Sequence, residues 1–255
     1  MHSKWKMFGQ LYRKDMHQVL PELLLVIILS VAMNLAILLG SGIMTQLLIG
    51  PTFMLFGLAV LLPLISSFKT FRQEWSNKTV YLLMSLPVSG GMIMGSRLLA
   101  LVTQFVTGTI VVGVGALLAT YHIIPKELID MSALHSLLSN AAAYKYLAVV
   151  SLSGLAYMLF LFCNSLFSQI VGRISRKLSG WITLGAFIAV IWGSQKVLEL
   201  IGIGQFSGTL SENNAEVIFQ NIVMPAFTSY TIGYLIFALL LFVGSVIIYD
   251  RRLEV

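Results

Sequence analysis

PELLLVIILSVAMNLAILLGSGI, residues Pro21–Ile43, carries its only charge at Glu22 and then runs 21 residues without another. A helix crossing the roughly 30 Å hydrocarbon core needs about 20 consecutive, mainly apolar residues, so this stretch reads as a membrane span. Basic residues precede it, as they would a signal peptide. A signal peptide's apolar region is only about 7–15 residues long, and no small-residue cleavage site follows, so the span reads as retained. Five more stretches share its character: Thr52–Phe68, Leu98–Tyr121, Tyr146–Gln169, Gly180–Leu200 and Phe227–Tyr249. Pro63 lies inside the second, removes a backbone donor and predicts a kink. Lys196 and Glu199 fall in the second half of the fifth, whose apolar core is expected to end near Trp192.

The whole composition agrees. Of 255 residues, 58% are hydrophobic and 10% charged, against about a quarter charged in soluble domains. The fold class expected is an all-α integral membrane protein, one domain over residues 1–255. The net charge of +6 is explained by loop bias and calls for no nucleic acid. With the N-terminus inside, the segments on that side hold thirteen Lys and Arg, from Lys4 and Lys6 to Arg251 and Arg252, and the other side holds three, Lys126, Lys145 and Lys196. The positive-inside rule then places both termini in the cytoplasm. A lone cysteine, Cys163, sits in an apolar run and reads as a buried hydrophobe.

Between the spans, Trp5, Phe8, Tyr12, Met16 and Val19 recur at helical spacing, with Lys4, Lys6, Arg13, Lys14 and His17 mostly elsewhere. This predicts an amphipathic helix on the anionic leaflet, leading into the first span; an ordinary basic flank is the plainer alternative. Residues 122–143 and 204–222 are expected to rest on the outer interface. In the loop 69–97, Phe68, Phe71 and Trp75 stand three and four apart and predict one aromatic helical face, with Lys69, Arg72 and Glu74 accessible around it. Pro87 and the Gly90–Gly91 pair then turn the chain back. Such a helix suits a groove on another protein, or equally a loop dipping into headgroups.

Several chemistries are missing from the sequence. No ionisable residue is placed at mid-span, which weighs against a proton- or ion-coupled carrier. No Gly-x-x-x-x-Gly-Lys-Ser/Thr loop is present to cradle ATP phosphates. The four histidines show no metal-ligand spacing and lie outside the spans, so Ser151 and Ser153 near Gly154 lack an activating base and read as helix-packing residues. The polar residues inside spans, Asn34, Thr103, Gln104, Thr107, Thr109, Asn164 and Ser165, either line a mildly polar cavity or bond helix to helix.

The loop 69–97 and the topology together resemble the permease subunits of type-two ABC exporters. The pattern is Glu74, Thr79, the run Val80–Leu86, Pro87, Val88, Ser89 and a basic residue opening the next span, Arg97; Lys78 stands where many members have Gly. The resemblance spans the chain and implies a half-transporter, paired with itself or with a paralogue, with a separate ATP-binding subunit beneath each copy. The chain itself would bind no cofactor; ATP and Mg would sit on the partner. A coupling helix within 66–91 would dock on that partner through Phe68, Phe71, Arg72, Glu74, Trp75 and Thr79. The substrate path would pass Asn34 and Pro63. An amphipathic peptide or drug is the expected cargo, with a lipid or lipid-linked glycan as the alternative and a secondary carrier as a further one. The location implied is a bacterial inner membrane, in contact with its lipids.

Overall fold

In a computed structural model, six α-helices account for nearly all of the described residues, which are 2–40, 49–77, 88–123, 141–173, 178–203 and 223–253. They are α1 (His2–Leu39), α2 (Ile49–Ser76), α3 (Gly90–Ile123), α4 (Ala141–Gly172), α5 (Ser179–Leu200) and α6 (Met224–Leu253). No strand occurs among the described residues. Each helix is long and apolar enough to cross a membrane. Large apolar side chains point outward along them: Ile28 is 64% exposed, Leu117 73% and Leu239 64%. Such a surface is stable against lipid and not against water, so the chain is a multi-pass membrane protein.

The chain forms two compact units, residues 1–130 and 131–255. In the first, α3 packs along both α1 and α2. Contacts set the directions. Ser96 meets Asp15, and a Cβ on Gly108 would touch Leu23, so α1 and α3 are parallel; Glu22 meets Ser66 while Lys14 meets Glu74, so α2 is antiparallel to α1. In the second unit α4 packs along α6 and also holds α5. Tyr157–Tyr234 and Phe160–Phe237 ring contacts make α4 and α6 parallel, and Asn164 bonding Phe187 while Gly172 faces Thr183 makes α5 antiparallel to α4. Each unit thus repeats one arrangement: first and third helices parallel, the middle one reversed.

The expected lead-in helix is continuous with the first span. α1 passes through Pro21 without a break. Its buried stripe of Leu11, Asp15, Val19, Leu23, Val26, Ser30 and Ile37 runs from the lead-in into the span. Residues 11–19 therefore lie along α3, as Tyr12 to Thr103 and Asp15 to Ser96 show, while Trp5 is 78% exposed. At 1.5 Å per residue, the 38 residues of α1 extend about 57 Å, roughly 27 Å more than the hydrocarbon core needs. α2 and α3 overshoot at the same end, so three helices form a stub beyond the core. Residues 66–76 are the last turns of α2, which runs unbroken through Pro63; the rest of the expected coupling loop up to residue 87, Asn77 excepted, lies outside the described residues.

α5 runs to Leu200, the end expected for the fifth span, with Lys196 and Glu199 paired at 2.6 Å on its exposed side. It ends at Gly202, whose φ of 81° closes the helix: the amides of Gly202 and Ile203 donate back to Glu199 and Leu198, the left-handed stop that glycine adopts without a Cβ clash. Cys163 is buried within α4. The segments 124–140 and 204–222, expected at the outer interface, lie outside the described residues.

Candidate functional site

The stub holds a quartet of charges, three of them buried. Glu74, 2% exposed on α2, receives Lys14 Nζ from α1 at 2.6 Å and is paired on its other oxygen with Arg97 of α3. Arg97 is itself 5% exposed, and its guanidinium lies 5.2 Å from the ring centroid of Phe71, which is also buried. Asp15 completes the set: it accepts from Ser96 Oγ at 2.6 Å and lies 3.4 Å from Lys14 Nζ. Two acids and two bases cancel, and the ring over the guanidinium adds a cation–π contact. Three helices are thus fastened at one level by one carboxylate.

A second polar level lies about 12 Å along the axis, eight residues of α1 nearer the membrane. Glu22 accepts from Ser66 Oγ at 2.7 Å and from Lys69 Nζ at 2.6 Å, and Gln104 of α3 donates to Ser66 Oγ at 3.2 Å. Lys69 is half-exposed. Beyond this level the unit turns apolar, with Val26, Leu55, Ala59 and Val112 buried together.

This geometry redistributes the residues expected to dock on a partner. Phe71 and Glu74 are spent inside the unit, so the expectation of an accessible Glu74 is corrected: two bases 60 and 23 positions away in sequence draw it in. Arg72 is exposed and Phe68 half-buried on the same helix. Trp75 belongs to the last turn of α2; its side chain, like all of Thr79, lies outside the described residues. The acids of the stub are turned in or paired, while Lys4, Lys6, Arg13 and Arg72 are exposed, which leaves its outer surface basic.

The substrate-path residues separate. Asn34 lines a groove of about 380 Å³ between α1 and α3, with Ser30, Leu35, Leu38, Val114 and Gly115 among its walls. Its Nδ2 donates to the Ser30 carbonyl at 2.8 Å, while its buried Oδ1 has no hydrogen-bond partner, a deficit worth roughly 1–3 kcal/mol. Gly115 makes the approach possible, because a Cβ there would stand 2.5 Å from Asn34 Nδ2 and 2.9 Å from Ser30 Oγ. Pro63 is fully buried on α2 beside the Glu22–Ser66 level and is not part of the groove.

In the second unit Asn164 bonds across from α4 to α5, while Ser168 and Gln169 bond within α4. Asn164 Nδ2 donates to the Phe187 carbonyl at 3.0 Å, Ser168 donates to Asn164 Oδ1 at 3.1 Å, and Gln169 donates to Ser165 Oγ at 2.8 Å. Ser153 Oγ turns back on the Val150 carbonyl of its own helix at 2.9 Å. Among the described residues no three His, Cys, Asp or Glu side chains are grouped as metal ligands would be. The stub quartet is hidden from sequence reasoning, although Glu74 and Arg97 both stand in the exporter-like pattern; what links them is fold, not spacing. No known family model matches the chain, and neither does any curated protein or solved structure.

Proposed function

We propose that this chain is the membrane subunit of an ATP-driven exporter, working as a dimer with a separate ATP-binding subunit on the side of the basic stub, in a bacterial inner membrane with both termini in the cytoplasm. One observation carries the reading: Glu74, the acid of the exporter-like loop pattern, ties the end of α2 to α1 and α3 through Lys14 and Arg97. A partner pushing on the exposed side of this end, at Arg72 with Phe68, Trp75 and Thr79 as the remaining docking candidates, would move three spans together. Glu74 and Phe71 then act as the fastening between coupling surface and spans and not as the contact itself. The uncharged groove at Asn34 supports an amphipathic cargo, such as a peptide, drug or lipid-like molecule.

The test is co-expression with the ATP-binding cassette protein of the same gene neighbourhood. Co-purification that Arg72→Glu weakens, and ATP hydrolysis stimulated by the membrane subunit, are the expected results. A chain that purifies alone, or that transports in liposomes without any ATPase, refutes the reading.

A further inference from the structure

The walls of the groove between α1 and α3 restrict what can lie in it. Leu35, Leu38 and Val114 offer apolar surface, and no charged residue is among those lining it. On α1 the nearest charge is Glu22, eight positions from Ser30 and about 12 Å along the axis, already engaged by Ser66 and Lys69. Toward the start of α3 it is Arg97, thirteen positions from Ile110 and about 20 Å away, already paired with Glu74. An ionised headgroup would therefore enter the groove without a counter-charge, which is prohibitive away from water. A bare hydrocarbon would leave Asn34 Oδ1 without a donor. What satisfies both conditions is an apolar chain carrying a neutral N–H or O–H. Oδ1 is buried, but the terminal torsion of asparagine is soft, so a rotation that releases the Nδ2 bond to Ser30 turns Oδ1 toward such a donor.

We propose that this groove is a binding site for an uncharged single-chain amphiphile, whose hydroxyl or amide donates to Asn34 Oδ1 while its chain lies along Leu35, Leu38 and Val114. This deepens the proposed cargo and rests on the exporter reading only for the steps after binding; binding itself is a property of this chain. Gly115 belongs to the site because any side chain there displaces the Asn34 amide.

The experiment uses the purified full chain in nanodiscs and a monoacylglycerol bearing a diazirine in its acyl chain. Photolabelling is expected on residues 30–38 and 110–118. Unlabelled monoacylglycerol should compete at least tenfold better than an alkane or a fatty-acid carboxylate of equal length. Asn34→Leu should remove the preference over the alkane, since one hydrogen bond is worth about tenfold in affinity. Leu35→Trp, at a half-exposed position that tolerates bulk, should fill the groove and cut labelling tenfold while leaving Asn34 intact. Equal competition by alkane and phosphatidylglycerol would overturn the proposal, as would labelling elsewhere: bilayer chains would then merely fill the groove. Efficient cross-linking of cysteines placed at Leu35 in two copies would overturn it too, by showing that a second copy covers the face. Labelling as expected without any stimulated ATP hydrolysis would sink the exporter reading and leave the site standing; the reverse result would do the opposite.

Discussion

Replacing Glu74 by Gln keeps the size of the side chain and removes its charge, and the structure sets the cost. Arg97, 5% exposed, loses its carboxylate in a site that water does not reach, and Lys14, 36% exposed, loses a 2.6 Å partner. Breaking a buried pair from one side costs about 3–5 kcal/mol, because the surviving charge stays desolvated. Lys14 adds little, since it can hydrate and Asp15 lies 3.4 Å away. With about 2–4 °C of melting temperature lost per kcal/mol in a chain of this size, even 3 kcal/mol lowers the midpoint by roughly 6–12 °C. The control is Glu199→Gln, which breaks the Lys196 pair where both side chains are more than half exposed and should cost below about 1 kcal/mol. Adding Arg97→Met to Glu74→Gln removes the stranded charge and should recover most of the loss. Scanning fluorimetry in one detergent reads the unaltered chain and the three variants side by side. A Glu74→Gln midpoint equal to that of Glu199→Gln, or no recovery in the double variant, would refute the quartet argument.

Gly172→Ala should weaken the packing of α4 on α5, because its Cβ would meet the Thr183 hydroxyl and stand 2.8 Å from the fixed Ser179 carbonyl; Gly233→Ala, whose Cβ would stand 2.6 Å from a methyl of the buried Leu198 and near no backbone atom, should cost less, and the two melting midpoints compare directly. Asn164→Leu removes the bond to the Phe187 carbonyl and should cost about 0.6 kcal/mol and not more than about 1.7, the range for hydrogen bonds between membrane helices, measured by SDS unfolding. A single cysteine at Asn77, exposed at the stub end of α2, should react with a membrane-impermeant thiol reagent only after the cytoplasmic side is opened; labelling of intact cells at that position would invert the topology and remove the exporter reading with it.

The six spans are legible because lipid demands one property, an unbroken apolar run, and periodicity hardly enters. Depth is less legible. Pro21 and Pro63 each remove one amide, but a helix supported by neighbours tolerates that, and both α1 and α2 pass through their prolines. The amphipathic reading of residues 1–20 groups Trp5, Phe8, Tyr12, Met16 and Val19; Val19 is buried and Tyr12 bonds Thr103, but the buried stripe also takes in Leu11 and Asp15, and an acid on the packing face defeats any apolar count. Glu74 shows the same blindness. Exposed on a lone helix, it is buried once Lys14 and Arg97 converge on it, and no local window contains all three. Asn34 is legible as an irregularity of the first span, yet its groove partner Gly115 emerges only from the pairing of α1 with α3.

The quartet also bears on how the chain is made. Lys14 and Asp15 leave the ribosome first, Glu74 follows 60 residues after Lys14, and Arg97 a further 23 after that. The four side chains share one level only when α1, α2 and α3 have all inserted in alternating directions. Invert α2 and its acid ends on the far side of the bilayer, leaving two bases facing one another across an empty seat; invert α3 and Glu74 keeps Lys14 alone. Closing the quartet therefore depends on the first three spans being threaded correctly.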